Sequence, residues 1–254
     1  MELDHLSYSS ISTWLLCPRS WAFKYRGKIQ IPTSAALVFG SAFHNTVEEY
    51  LRVRNEQTEA KLTDLWPQSW TAQLERNTGD IDWGSDTQEH FFNEGLRILG
   101  TDDIIDTVKN LQVKTEGIER FVELSVPGVP IPIIGYIDLI ADDDVPIDLK
   151  TSSQAWSSGK AQSEIQPLFY LAALTQGGEV NHNFRFRHVV FTKTKNPQVQ
   201  VIESQHSLAA CFWLLTMIGE VWKAIDAGHF PCNPTGWKCS PKFCDFWAMC
   251  RGKP

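Results

Sequence analysis

Apolar and polar positions alternate with different periods along the chain. Val122, Leu124 and Val126 recur at every second position, the period of a strand with one covered face. Ile131–Ile140 and Val145–Thr151 are almost continuously apolar and predict central strands. Ala141-Asp-Asp-Asp144 between them reads as a hairpin turn. Phe184–Thr192 and Gln198–Glu203 predict a second hairpin around Lys195-Asn196-Pro197. A first helix opens at Tyr8-Ser9-Ser10-Ile11 with Ser9 or Ser10 as N-cap, and stops at Cys17-Pro18, because proline disfavours helix at the residue before it. Further helices are predicted over Ser41–Asn55, preceded by Gly40, over Ser163–Gln176, closed by Gly177-Gly178, and over Ser207–Ala227, stopped by Gly228. Residues 56–118 read as a polar, mostly helical insertion with Trp66, Trp70 and Trp83 as packing anchors. The order is helices, three strands, helix, two strands, helix. It predicts one mixed α/β domain over residues 1–254, a central mixed sheet flanked by helices, ending in a cysteine-rich tail at 229–254.

Composition supports a packed core: 43% of the 254 residues are hydrophobic and 21% charged. No run approaches the ~18 apolar residues of a membrane span, and Met-Glu-Leu-Asp-His lacks the pattern of a signal peptide. The expected location is the cytoplasm, where clustered thiols serve as metal ligands rather than disulfides. The net charge of −7 is unevenly spread: His44–Asp144 holds 21 acidic and 8 basic residues, the remainder 9 and 15. Asn181–Ile202 carries Arg185, Arg187, Lys193 and Lys195 and no acid. That stretch is either a solvated strand face or a phosphate-contacting one. The basic stretch Arg19–Lys28 is the other candidate for holding phosphates, and Trp21, Tyr25 and the tryptophans of 66–83 are candidate base-stacking residues.

The chemistry concentrates in Ile147-Asp-Leu-Lys150, ten residues after Asp138. Asp148 and Lys150 are two apart on a strand and share a face. A three-residue loop, 142–144, puts Asp138 opposite Asp148 on that face; a two-residue loop shifts the register by one. Two carboxylates so close repel unless a cation lies between them, and an oxygen-rich site suits Mg²⁺ or Mn²⁺. Such an ion lowers the pKa of a water and polarises a phosphate, with Lys150 orienting the nucleophile and balancing charge.

Ile133-Ile-Gly-Tyr-Ile-Asp138 followed by Ile147-Asp-Leu-Lys-Thr151 resembles the core motif of the PD-(D/E)XK nuclease superfamily, which implies a restriction-endonuclease-like fold. Gly40-Ser-Ala-Phe-His44 resembles the Gly-x-x-x-His element of its RecB-like branch, and Gln166-Pro-Leu-Phe-Tyr170 the branch's Gln-x-x-x-Tyr helix. The resemblance implies that His44 is a metal ligand beside Asp138 and Asp148, and that Gln166 and Tyr170 face the active site. Pro167 fits this element only in the first helical turn. Glu123 is a further acidic candidate near the metal.

Cys239-x₄-Cys244-x₅-Cys250 has ligand-like spacing. With Cys17-Pro-Arg19 it resembles the iron–sulfur arrangement of AddB-type helicase–nucleases and CRISPR-associated exonucleases, in which one cysteine precedes the nuclease motifs and three follow. This implies a [4Fe–4S] cluster on Cys17, Cys239, Cys244 and Cys250, with Zn²⁺ as the alternative. Cys232 stands apart as a spare, and Cys211 reads as core. The resemblance implies a metal-dependent DNA exonuclease acting on single strands or ends, in DNA repair or recombination, with a helicase or recombination protein as partner because no Gly-x-x-x-x-Gly-Lys-Ser/Thr motor motif is present. A catalytically silent DNA-binding module and a zinc-stapled interaction protein remain the alternatives.

Overall fold

A computed structural model describes residues 3–179 and 183–252. Met1 and Glu2 of the N-terminal pentapeptide, and Asn181 and His182 at the opening of the basic stretch, lie outside the described residues. The chain opens with a short strand, β1 (Leu6–Ser7), and helix α1 (Tyr8–Leu16), followed by α2 (Pro18–Trp21). Ser7 caps α1, not Ser9 or Ser10: its side chain accepts from Ser10 N while Ser10 Oγ accepts from Ser7 N, a reciprocal capping box. After β2 (Thr33–Ser34), α3 (Ala35–Asn55) starts six residues earlier than the predicted Ser41. Ser34 supplies the cap, and Gly40 lies inside the helix rather than before it. Helices α4 (Leu62–Arg76), α5 (Gln88–Leu99) and α6 (Asp102–Asn110) form a layer over α3, interrupted by β3 (Ile81–Asp82). Trp66 and Trp70 are buried in it, with the half-buried Trp83 tilted against Trp70. Trp21, Trp66 and Trp70 are core, so these three rings are not open to bases.

The central strands follow: β4 (Arg120–Leu124), β5 (Ile133–Ile137), β6 (Leu139–Ile140) and β7 (Pro146–Ser152). Next come helices α7 (Ser158–Ser163) and α8 (Gln166–Gln176), then β8 (Arg185–Thr192), β9 (Val199–Gln205), α9 (Leu208–Asp226) and α10 (Trp247–Arg251). The predicted single helix Ser163–Gln176 is therefore two, broken before Gln166. Strands β6-β7-β8-β9 form one sheet, with β7 and β8 parallel and the other neighbours antiparallel; β1-β5-β4 form another. Asp138 is the single residue separating β5 from β6. The architecture is the mixed α/β one that the pattern predicted, and it is consistent with the restriction-endonuclease-like fold that the resemblance implied.

Two cores cover opposite faces. Ile147 and Leu149 of β7 join Phe43 of α3 and Trp66 of α4 in one. Phe186 of β8 joins Phe169 of α8 and Leu214 of α9 in the other. Helix α9 qualifies one expectation: an 18-residue window within it reaches a mean hydropathy of 1.5, long and apolar enough to cross a membrane by composition. Thr216, Glu220 and Lys223 interrupt the apolar run without lowering its average below that level. Here the helix seats Cys211, Leu214, Ile218, Val221 and Ile225 on the core.

Candidate active site

The hairpin settles the register. Leu139 pairs with Ile147 and Ile140 with Pro146, so Asp138 stands opposite Asp148, the arrangement of the three-residue loop. On β7, Ile147 and Leu149 turn into the apolar core, which sends Asp148 and Lys150 to the other face. Asp138 Oδ2 accepts a 2.7 Å hydrogen bond from Leu149 N and lies 3.6 Å from His44 Nδ1 of α3. Asp148 is only 2% exposed, and its Oδ2 lies 2.6 Å from Lys150 Nζ. The Lys150 ammonium is thus the partner of this buried oxygen. Lys150 Nζ donates to Gln166 Oε1 at 2.9 Å, Gln166 Nε2 donates to Tyr170 OH at 3.1 Å, and Tyr170 OH donates to Tyr136 O at 2.6 Å. One face of α8 thus braces Lys150 against the strand that delivers Asp138. Pro167 sits at the second helical position, where no intrahelical N–H is required.

Burial dominates the electrostatics. It raises Asp138 and Asp148 to about 6, although the Lys150 charge pulls both down. It lowers His44 to about 4, leaving a neutral imidazole at ordinary pH. Burial also works against the charged form of Lys150, but Asp148 and Asp138 outweigh it and the ammonium ends up favoured. Two carboxylates and a neutral imidazole form a donor set that fits a hard divalent cation. Among the described residues, no three such side chains are already gathered in coordination geometry.

Three residues at the site escaped the sequence reading. Glu48 is 4% exposed, and burial, with the Asp138 and Glu119 charges, raises it to about 8. Its signal was available: it follows His44 by four residues, on one face of α3. Tyr8 lies where Lys150 and Asp148 act on its phenol, which burial and then the Glu164 carboxylate hold above its ordinary value. His188, the strand partner of Asp148, is fully buried with both ring nitrogens lacking a hydrogen-bond partner. Nothing in its own sequence neighbourhood marks Tyr8 as a site residue. Glu123 is exposed on β4, and the carboxylate whose charge reaches Asp138 is Glu119 instead.

The basic strand pair is arranged differently from a free phosphate-binding face. Arg185 and Arg187 of β8 both bridge to Asp143 and Glu203, so local acids already meet their charge. Lys193 Nζ lies 5.1 Å over the Phe39 ring, and burial lowers its pKa. The Lys195 carbonyl accepts from Arg97.

A second locus joins the chain ends. Cys17, Cys232, Cys239, Cys244 and Cys250 line one cavity of about 140 Å³. Asn233 Nδ2 donates to Leu16 O across it, and Arg19 N donates to Pro231 O. Cys17 caps α2; burial disfavours its thiolate, but hydrogen bonds from the backbone of Asn233, Ser20 and Arg19 outweigh this and lower its pKa. Burial raises the Cys250 thiol, and the Cys232, Cys17 and Cys244 charges raise it further. Among the described residues these thiols line the cavity without three of them being gathered in coordination geometry. Cys232 is exposed, and Cys211 is buried in α9 with its thiol raised to about 11.

The carboxylate–lysine strand pair thus stands at the β5–β6 break of a mixed α/β fold. The profile of the PD-(D/E)XK nuclease superfamily matches residues 5–251, and the chain belongs to that superfamily. It is similar to the crystal structure of a candidate exonuclease from Eubacterium rectale, with 14% identity over 99% of this chain and 90% of that one, at a TM-score of 0.58. A structure designated SSO0001 aligns at 16% identity over 96% of this chain and 98% of that one, with a TM-score of 0.39. No curated protein matches the chain.

Proposed function

We propose that the chain is a RecB-like, Mg²⁺- or Mn²⁺-dependent DNA exonuclease acting on single strands or DNA ends. The observation that carries this reading is the convergence of His44, Asp138, Asp148 and braced Lys150 at the β5–β6 break. Nucleases of this superfamily generally use divalent metals, and His44, Asp138 and Asp148 are the residues that would hold one here. When bound, the ion supplies charge neutralisation at the phosphate and activation of the attacking water. Lys150 stays protonated beside Asp148 and, held by Gln166, donates toward the phosphate, where negative charge accumulates. Tyr170 fixes Gln166 through Tyr136 O, so its role is positioning. The similarity to a candidate exonuclease supports end-directed cutting. The five-thiol cavity supports a [4Fe–4S] cluster on Cys17, Cys239, Cys244 and Cys250, with exposed Cys232 outside the set. A helicase or recombination protein is the proposed partner.

The test is incubation of anaerobically purified protein with end-labelled single- and double-stranded DNA, with and without Mn²⁺. Mn²⁺-dependent shortening from ends is expected, and Asp148→Asn and Lys150→Met should each slow it about a hundredfold or more. Undiminished cutting by both folded variants would remove the site assignment. Nicking of circular DNA at the same rate as linear DNA would remove the exonuclease assignment.

A further inference from the structure

Although the chain is acidic overall, the surface over the cysteine cavity is basic. Leu6–Val47 contains Arg19, Lys24, Arg26 and Lys28 and no acidic residue; residues 229–252 contain Lys238, Lys242 and Arg251 against a single acid, Asp245. The two stretches meet in space. Arg19, Lys24, Lys238 and Arg251 border the same cavity, and the Phe23 and Phe246 rings pack at 5.4 Å. Arg185 and Arg187 are held by carboxylates, but Lys24, Lys238 and Arg251 lie over aromatic rings instead. Lys238 Nζ is 5.3 Å from the Trp237 centroid, Lys242 Nζ 5.1 Å from Phe243, and Arg251 5.6 Å from Trp247. Lys24 lies over Tyr25 and Arg26 over Phe230 in the same manner. Trp237 and Phe243 meet edge to face at 6.0 Å while remaining 67% and 49% exposed, so a ring surface stays open to solvent.

We propose that Trp237 and Phe243, with Lys238 and Lys242, form a docking platform for unpaired DNA, set back from the catalytic carboxylates. Open rings flanked by ammonium groups match a single strand, in which each base offers a π-face and each linkage a negative charge. A duplex keeps its bases stacked inside and offers these rings no face. The link to the cutting site rests on the nuclease reading; binding at the platform does not. Helix α1 connects the two, running from Tyr8, beside Lys150, to Leu16, next to the cavity. At ~1.5 Å per residue its nine residues span roughly 14 Å.

The probe is dye-labelled oligo-dT, bound by the full chain without added divalent metal and read by fluorescence anisotropy. Trp237→Ala with Phe243→Ala should raise the dissociation constant about 5- to 150-fold per lost stack. Trp237→Phe should restore most of the affinity. Lys238→Gln with Lys242→Gln should flatten the log–log salt slope by about 1.4. Iron or zinc content and melting temperature are recorded for each variant, so that loss of the cluster is not mistaken for loss of the platform. Wild-type affinity and salt slope in folded, metal-replete variants would overturn the proposal, as would absence of oligo-dT binding by the wild type. Hydrolysis of bis-(p-nitrophenyl) phosphate by the wild type with Mn²⁺ separately reports on the nuclease reading, since this diester is too short to reach the platform.

Discussion

Asp138 and Asp148 combine two demands at the residue scale. Each must be ionised to hold a cation, yet burial raises both to about 6. As pH falls through that value they take up protons and lose ligand strength, while His44, lowered to about 4, stays neutral. The expected outcome is a rate at subsaturating Mn²⁺ that climbs with pH through about 6, with a midpoint belonging to the coupled pair. More Mn²⁺ should move that midpoint down, because metal and proton compete; a midpoint indifferent to Mn²⁺ would assign it to another group. Glu48 supplies a stability prediction. Its folded value of about 8 lies above its ordinary 4.5, so the folded state binds the extra proton, and stability is lost as pH rises between these values. Glu48→Gln should therefore stabilise the metal-free protein by on the order of 3 kcal/mol at pH 7, and hardly at all near pH 4. Urea unfolding at the two pH values checks it, and an equal effect at both would show that the ionisation is not responsible. Glu48 was legible as a helix neighbour of His44; its burial against Asp138 was not.

At the scale of elements, the site depends on how closely α8 approaches β5. A Cβ at Gly135 would come 2.7 Å from Phe169 Cε1 and 3.3 Å from Tyr170 Cε1. Gly135→Ala should thus push α8 outward, carrying Gln166 away from Lys150, at about 1–3 kcal/mol in stability and with a larger loss in DNA cutting than in melting temperature. Unaltered kinetics in a variant that melts lower would show that α8 does not set the Lys150 position. The hydrophobic pattern located β5, β7 and β8 because each carries apolar core-facing residues, Ile133 and Ile137, Ile147 and Leu149, and Phe186 and Val189 respectively. It misplaced the start of α3, since Ala35–Phe39 carries no boundary signal beyond the Ser34 cap. It merged α7 with α8, although Pro167, tolerated only in a first helical turn, marked the start at Gln166.

Across the whole molecule, the cysteine cavity joins Cys17 to a tail more than two hundred residues later. A cluster there would close a loop worth on the order of 5 kcal/mol on chain-entropy reasoning. Anaerobically purified protein should be brown, with iron and sulfide near four each per chain. Cys17→Ser should lower stability about as much as Cys244→Ser, because either opens the same closure. Colourless protein holding one zinc would replace the iron–sulfur assignment, and full stability in Cys17→Ser would remove Cys17 from the ligand set.

The linear sequence by itself determined the strands, the Asp138 and Asp148-x-Lys150 spacing, and the four motif elements in their order, because side-chain period and short-range spacing are local properties. Tertiary structure decided which hairpin register brought Asp138 opposite Asp148. It also decided that Arg185 and Arg187 meet Asp143 and Glu203, and that Tyr8, Glu48 and His188 line the same site. Those outcomes depend on contacts between segments tens to hundreds of residues apart. Burial then sets the charge state of each group, and burial exists only once the layers have packed.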